Sequence, residues 1–306
     1  MAAHEGSDSR LAFWVTALPP LLWVAVFFLI PLGVIWAYSF GQNLGLTGVE
    51  ISGTFSNYAR AFEPLYLQIF AKSIFVAGLT TLLCLIIGFP VALAIVFASE
   101  KWRPWLLLLV MLPFWTNLLI RTYALIAVLR TEGFLNNGLE GVWNGASWLK
   151  VLVGLEPLAP YEPLQLLYNN FAVVFGLVYV HLPFMVLPLY AALDRLDRSL
   201  MEASLDLGAG HLRTLFSIVV PLALPGIISG VIITFVPALG AYLTPDLLGG
   251  PDSQMIANVI ERQFKRANDW PFGAALSFLL MYATFIAIAL RAYLSKGKAA
   301  DAAHGI

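Results

Sequence analysis

Arg121 and His181 are the most informative of the side chains that can carry a charge within apolar stretches of this chain. Polar groups at membrane depth are costly, and they commonly mark the route of a polar solute. We therefore take both, together with Asn117, Tyr123 and Tyr242, as candidate residues of a substrate pathway. A second interpretation is open for each charged group. Arg121 would snorkel or join a structural ion pair, and His181 would be a buried histidine with satisfied hydrogen bonds.

The sequence lacks the residues and motifs that are typical of ion coupling, ATP binding, zinc binding and serine hydrolysis. No Asp or Glu falls within the six apolar segments given below, although ion-coupled carriers usually need such a carboxylate. The chain also lacks a Gly-x4-Gly-Lys-Ser/Thr phosphate loop, a His-Glu-x-x-His zinc motif and a Gly-x-Ser-x-Gly elbow. These absences disfavour an ion-coupled carrier and a membrane enzyme. They predict a chain with no catalytic residues, no metal site and no ATP site of this type.

A polar interruption begins at Glu202 with the sequence EASLDLGAGHLRTLFSIVVPLALPG. Leucines at helical spacing precede a pair of glycines around Gly208, which are typical of a helix end. A second short helix is predicted over 211–219, followed by Pro221 and the next apolar segment. From these residues alone, 191–221 is either a well-packed interfacial loop or a docking site for a partner.

Membrane-spanning helices are the elements that must position these residues. The chain is 60% hydrophobic and 11% charged, with a mean hydropathy of +0.83, whereas soluble domains carry about 25% charged residues. We therefore predict an all-α membrane protein, whose spans each need roughly 20 apolar residues. The net charge of −1 gives no field that would attract nucleic acid. The six predicted spans are 13–38, 68–98, 105–129, 168–190, 218–240 and 272–293.

The distribution of basic residues predicts the orientation. Lysines and arginines are denser in the segments that lie inside when the N-terminus is inside. We therefore expect cytoplasmic tails at 1–12 and 294–306. Residues 13–64 would hold the first span and an outer loop, and 65–293 the remaining transmembrane domain, with 191–221 on its cytoplasmic side.

The interruption resembles the EAA motif of the permease subunits of binding-protein-dependent ABC importers. That motif runs Glu-Ala-Ala, three residues, Gly, nine residues, Ile, one residue, Leu-Pro, and the chain fits every spacing. The matching residues are Glu202, Ala203, Ser204, Gly208, Ile218, Val220 and Pro221, with serine for alanine at 204 and valine for leucine at 220. The resemblance implies that the loop docks into a cytoplasmic ATPase. Glu202 would pair with a basic group there, and Gly208 would supply the bend.

The resemblance also implies the setting of the chain. It implies a type I importer permease fold in the bacterial inner membrane, with no cofactor in the chain itself. The implied partners are a second homologous permease, an ATPase dimer that binds ATP and Mg²⁺, and an extracytoplasmic solute-binding protein. The outer loops 131–167 and 241–271 would be the landing surface of that binding protein.

A narrower resemblance extends from the second predicted span to the last. Stretches such as LPFWTNLLIRTYALIAVL and VVPLALPGIISGVIITFVPALGAYLTPDLLGG are similar to the first permease subunit of spermidine/putrescine systems. A polyamine is the substrate that this implies. The spans offer no carboxylate for a polycation, however, and Arg121 would repel one unless it is paired. Another small solute, such as an amino-acid derivative, a phosphonate or iron, is therefore the alternative.

Overall fold

The structure is a computed structural model that describes the backbone of residues 5–45 and 48–303. Side chains are described for 13–45, 48–286, 288 and 289, so much of both predicted tails lies outside the described residues. The α-helices are α1 (Glu5–Val24), α2 (Ile30–Tyr38), α3 (Ser56–Ala61), α4 (Pro64–Phe97), α5 (Arg103–Met111), α6 (Leu118–Leu129), α7 (Phe134–Leu152), α8 (Asn170–Leu193), α9 (Arg198–Asp206), α10 (His211–Thr214), α11 (Val220–Leu239), α12 (Leu243–Leu248), α13 (Ile256–Lys265) and α14 (Trp270–Ala303). Strands β1 (Gln42–Asn43) and β2 (Val49–Glu50) form a short antiparallel hairpin.

Four helical segments are long and apolar enough to cross a bilayer. They are Phe13–Tyr38, Pro64–Phe97, Asn170–Leu193 and His211–Leu239. The first and the last are continuous because the π-helical turns Ala25–Leu29 and Leu215–Val219 join their α-helical parts. These segments correspond to four of the six predicted spans and confirm an all-α membrane protein.

The predicted span over 105–129 is interrupted in the structure. The helical segments Arg103–Trp115 and Leu118–Leu152 are inclined by 95°, so they form a broken span or a re-entrant loop. The break follows a 3₁₀ turn and begins at Thr116, whose backbone is extended. Asn117 then caps α6, because its side-chain oxygen accepts from the backbone N–H of Leu119 at 2.8 Å. Hydropathy does not report such a break, since the residues on both sides of it are apolar.

The sixth predicted span remains a prediction. Its helix is present, because α14 runs from Trp270 to Ala303. Among the residues whose side chains are described, however, the apolar part covers only Trp270–Ile286, which is shorter than a full crossing. Within the described residues, four helices are long and apolar enough to cross a membrane, or five if the broken pair is one span.

The chain divides into two compact units, residues 1–67 with 259–306 and residues 68–258. In the first unit, α2 meets α14 through a hydrogen bond from Trp36 Nε1 to the Tyr282 hydroxyl at 2.9 Å. Arg60 forms an ion pair with Asp269 at 2.8 Å, and its guanidinium carbon lies 4.0 Å from the centre of the Phe272 ring. This unit is thus held by polar and aromatic contacts as well as by helix packing.

The second unit has a core built between α4, α8 and α11. Its fully buried members include Cys84, Ala92, Met185, Leu189 and Ala223. Close approach of α8 and α11 depends on glycine: a β-carbon at Gly226 would collide with the Ala192 side chain and lie 2.8 Å from the Pro188 carbonyl oxygen. Small residues therefore set the distance between these two spans.

We expect Gly226→Ala to lower the unfolding free energy by about 1–3 kcal/mol, because overpacking forces neighbouring groups apart. The measurement is thermal unfolding in detergent, and Gly78→Ala is the matched control. Gly78 also lies in a span, but a β-carbon there meets nothing within 4 Å. Equal melting temperatures for the two variants would contradict the packing account.

Candidate functional site

The polar interruption folds into a helical hairpin, which we call the 191–221 hairpin. Its first helix, α9, is capped by Asp197, whose carboxylate accepts from the backbone N–H of Ser199 at 2.9 Å. Hydrogen bonds from Ser199 hold the pKa of Asp197 below its ordinary value, so this cap stays ionised at neutral pH. A negative charge at this end also complements the dipole of α9.

The turn of the hairpin depends on Gly208. Its φ of +82° is in the left-handed region, where residues with a β-carbon are strained. The turn is closed by two backbone hydrogen bonds, from Gly208 N to Leu205 O at 2.9 Å and from Ala209 N to Ser204 O at 3.1 Å. This is the pattern of a glycine C-cap, which ends α9 and reverses the chain.

A side-chain bond joins the two arms of the hairpin. The hydroxyl oxygens of Ser204 and the buried Thr214 lie 2.9 Å apart, so one donates to the other. Ser204, which stands where the motif has alanine, therefore makes a hydrogen bond that alanine could not make. Thr214 was not singled out from the sequence, since a threonine ten residues away gives no local signal of pairing.

The hairpin places the matched residues in two groups. Glu202 and Ala203 are exposed on α9, just before the turn at Gly208. Ile218, which is partly buried, and Pro221 lie where the second arm enters α11. The turn is flanked by two exposed apolar side chains, Leu207 and Leu212, which are 89% and 72% exposed. The exposed surface thus combines a carboxylate with apolar groups, a composition suited to a protein partner.

Two arginines bind the C-terminal end of α4, one from the hairpin and one from the start of α5. Arg198, the first residue of α9, donates from Nη2 to the Val96 carbonyl at 3.1 Å. Arg103 donates from Nη2 to the same carbonyl at 2.8 Å and from Nε to the Ala98 carbonyl at 3.1 Å. From the sequence, both arginines served only to predict orientation, because their acceptors are backbone atoms that no motif records.

The structure brings two of the candidate pathway residues together. His181 is 5% exposed, and its Nδ1–H donates to the Leu177 carbonyl at 2.8 Å, which leaves Nε2 without a bond among the described residues. The charge of Arg121 acts electrostatically on the His181 ring. Two guanidinium nitrogens of Arg121, Nε and Nη1, are buried with no hydrogen-bond partner within the described part of the chain.

The other candidate pathway residues have separate surroundings. Asn117 caps α6, as described above, so the structure gives it a positional role. Tyr123 on α6 is exposed, and among the described residues no hydrogen bond or ring contact joins it to Arg121 or His181. Tyr242 is also exposed, and its carbonyl accepts from Asn258 Nδ2 at 2.7 Å. No group of three or more His, Cys, Asp or Glu in the described residues could hold a metal ion.

Curated relatives match most of the chain. It is 40% identical over 258 residues to the spermidine/putrescine transport system permease protein PotB of Escherichia coli (strain K12), which covers 84% of this chain and 88% of that protein. PotB of Haemophilus influenzae is 40% identical over 255 residues, with 83% and 84% covered. The inner membrane ABC transporter permease protein YdcU of E. coli (strain K12) is 31% identical over 294 residues, with 92% and 90% covered.

The fold is also that of a solved importer. A chain of a bacterial ABC transporter involved in the import of the acidic polysaccharide alginate superposes with a TM-score of 0.70, at 15% identity, over 95% of this chain and 97% of that one. A second structure, of a bacterial alginate ABC transporter in complex with alginate pentasaccharide-bound periplasmic protein, gives a TM-score of 0.68. At this identity the likeness shows the fold alone.

The family model described as binding-protein-dependent transport system inner membrane component matches residues 9–299. Its members are membrane components of transport systems, so the predictions of a transport role and of an ATPase on another subunit are confirmed. The chain belongs to this family, and it is a multi-pass inner membrane permease of a binding-protein-dependent ABC importer.

Proposed function

We propose that this permease is coupled to a separate ATPase dimer by the 191–221 hairpin, in a type I importer with six spans and both tails in the cytoplasm. The observation that carries the proposal is the geometry of the hairpin. Glu202 and Ala203 are exposed on a short helix whose exit is fixed by the left-handed Gly208. An exposed surface whose two arms are hydrogen-bonded to each other can move as a rigid body when a partner moves.

The energetics of α9 support a docking role. None of its residues is buried within the chain, although it contains Leu200 and Leu205, which are both exposed. A helix of nine residues is only marginally stable in water by itself. Its caps and the Ser204–Thr214 bond hold the helix, while its apolar side chains are left available for a partner.

Further subunits are proposed on the same basis. The first span, Phe13–Tyr38, has none of its apolar window buried within the chain, so lipid or a second homologous permease must cover it. ATP and Mg²⁺ would be bound by the ATPase dimer. An extracytoplasmic binding protein would deliver the solute to the outer loops 131–167 and 241–271, which contain the amphipathic α7 and the helices α12 and α13.

The substrate that we propose is a small polyamine. Identity of 40% to PotB proteins of spermidine/putrescine systems supports this class. Because the predicted spans contain no carboxylate, we expect selectivity to reside mainly in the binding protein. Arg121 and His181 would then line or gate the route, and Arg121 would need an acceptor when a cation passes.

Site-directed cross-linking tests the coupling role. Ala203→Cys, on the exposed surface of α9, should cross-link to the ATPase subunit in the assembled complex. Ser99→Cys is the matched control, since it is also exposed and lies in the turn between α4 and α5. Cys84 is buried and should not react. Equal cross-linking at 203 and 99, or none at 203 in an intact complex, would contradict docking through the hairpin.

Stimulation of the ATPase tests the substrate class separately. The binding protein loaded with spermidine should raise ATP hydrolysis by the complex above the rate with empty binding protein. Stimulation by another small solute but not by spermidine would discard the polyamine and keep the coupling role.

A further inference from the structure

Two guanidinium groups meet at the C-terminal end of α4. Their acceptors, the carbonyls of Val96 and Ala98, belong to the last turn and the exit of a helix that ends at Phe97. Carbonyls at this position have no helical partner and carry the negative end of the helix dipole. The two arginines satisfy these acceptors with charge-assisted hydrogen bonds, which are roughly twice as strong as neutral ones.

The network reaches two more helices. Arg103, at the start of α5, also forms an ion pair from Nη1 to Asp194 Oδ1 at 3.2 Å, just after the end of α8. Arg198 opens α9, and its guanidinium carbon lies 5.6 Å from the centre of the Phe97 ring. Val96 O accepts from both arginines, so the ends of α4, α5, α8 and α9 share one polar centre.

The side chains around this polar centre are not closely packed. A cavity of about 240 Å³ lies among its members, lined also by apolar residues such as Leu93, Leu196 and Met201. Met201 is the partly buried residue through which α9 packs against the core of the second unit. Besides this packing, the hydrogen bond from Arg198 to the Val96 carbonyl attaches α9 to α4, and Arg103 holds the same carbonyl from the start of α5.

The attachment matters because the backbone connects the hairpin directly to α8 and α11 but not to α4. The hairpin continues directly from α8 and into α11, so a force on Glu202 reaches both helices through the backbone. It reaches α4, more than a hundred residues earlier in the sequence, only through noncovalent contacts. Motion of the hairpin is therefore transmitted to α4 only if these noncovalent contacts, which we call the joint, are kept while the hairpin moves.

We propose that Arg198 and Arg103 are positioning residues that form this joint and transmit motion of the hairpin to α4. The proposal rests on the proposed coupling role of the hairpin. Loss of the joint lets the hairpin follow the ATPase while α4 lags, so that ATP is consumed without delivery of solute. Coupling between distant sites is carried by rigid elements and by the hydrogen-bond and ion-pair networks that join them.

The test measures ATP hydrolysis and uptake together in the reconstituted complex. In Arg198→Gln, the ATP hydrolysed per solute imported should rise by about tenfold, because one coupling contact is lost. Arg198→Lys keeps a donor and a charge, so it should recover part of the ratio. Arg195→Gln is the matched control: it removes the same charge three residues earlier, where Arg195 is exposed and has no bond or ion pair in the described residues.

A second measurement guards against a folding defect. Spin labels at Ser199 and Glu100 in a Cys84→Ala background report the distance between α9 and the end of α4. That distance should stay constant on addition of ATP in the parent protein and become broad in Arg198→Gln and Arg103→Gln. An unchanged ratio with an unchanged distance distribution would overturn the proposal, as would loss of the ATPase subunit from the purified variant complexes. If Ala203→Cys fails to cross-link while the distance stays constant in the parent protein and broadens in the arginine variants, the docking role is lost and the joint is kept.

Discussion

Glu202→Arg is expected to abolish ATP-driven uptake while the protein remains inserted in the membrane. Glu202 is exposed on α9 and contributes nothing to the core, so its replacement leaves the fold intact. At a docking surface, in contrast, reversed charge places two cations together, which costs several kcal/mol. Uptake should therefore fall by about a hundredfold, as expected for a loss of about 2.8 kcal/mol. The measurement is uptake into vesicles that contain equal amounts of assembled complex.

Glu100→Arg is the control for this variant. Glu100 is also exposed, and it lies in the turn between α4 and α5, outside the hairpin. The same reversal of charge there should leave uptake near the parent value. If Glu202→Arg copurifies with the ATPase and transports normally, the docking role of Glu202 is disproved.

Gly208→Leu is expected to have an effect of similar size. The left-handed backbone at Gly208 costs a residue with a β-carbon about 1–2 kcal/mol, and the hairpin can avoid this cost by opening its turn. Opening moves Ser204 away from Thr214 and releases the brace between the two arms. Uptake should then fall to background, although α4, α8 and α11 remain folded because their core does not include the turn.

Two substitutions isolate the backbone conformation as the cause. Gly210→Leu adds the same side chain two residues later, where φ is −72° and a β-carbon meets nothing within 4 Å, so uptake should be largely kept. Gly208→Asn should be milder than Gly208→Leu, since asparagine tolerates the left-handed region. Equal loss in Gly208→Leu and Gly210→Leu would show that bulk at the turn, and not its backbone, decides the outcome.

Much of the fold follows from hydropathy, because a bilayer admits only helices that satisfy their own backbone groups. That rule located the spans at 13–38, 68–98, 168–190 and 218–240 within several residues. The span predicted over 105–129 is broken at Thr116, where local backbone geometry and the cap at Asn117 interrupt the helix. Apolar residues continue on both sides of the break, so composition carries no record of it.

The hairpin shows the same division between local and distant causes. Its two helices and the turn at Gly208 are encoded by neighbours in the sequence, and they were predicted. The Ser204–Thr214 bond and the arginine contacts with Val96 were not predicted, because each joins side chains or carbonyls that no short pattern relates. Arg121 and His181 were identified as polar groups in apolar segments, but only the fold places the charge of one near the ring of the other.

ATP-driven transport by this permease is tested most directly by uptake in the purified complex. The chain is reconstituted into vesicles with a second permease, the ATPase and the binding protein. Transport of labelled spermidine is then followed with and without ATP on the side of the membrane where the ATPase lies. We expect saturable uptake that requires ATP hydrolysis, is blocked by putrescine and is lost in Glu202→Arg. Uptake that continues without ATP and collapses with an ion gradient would contradict this expectation.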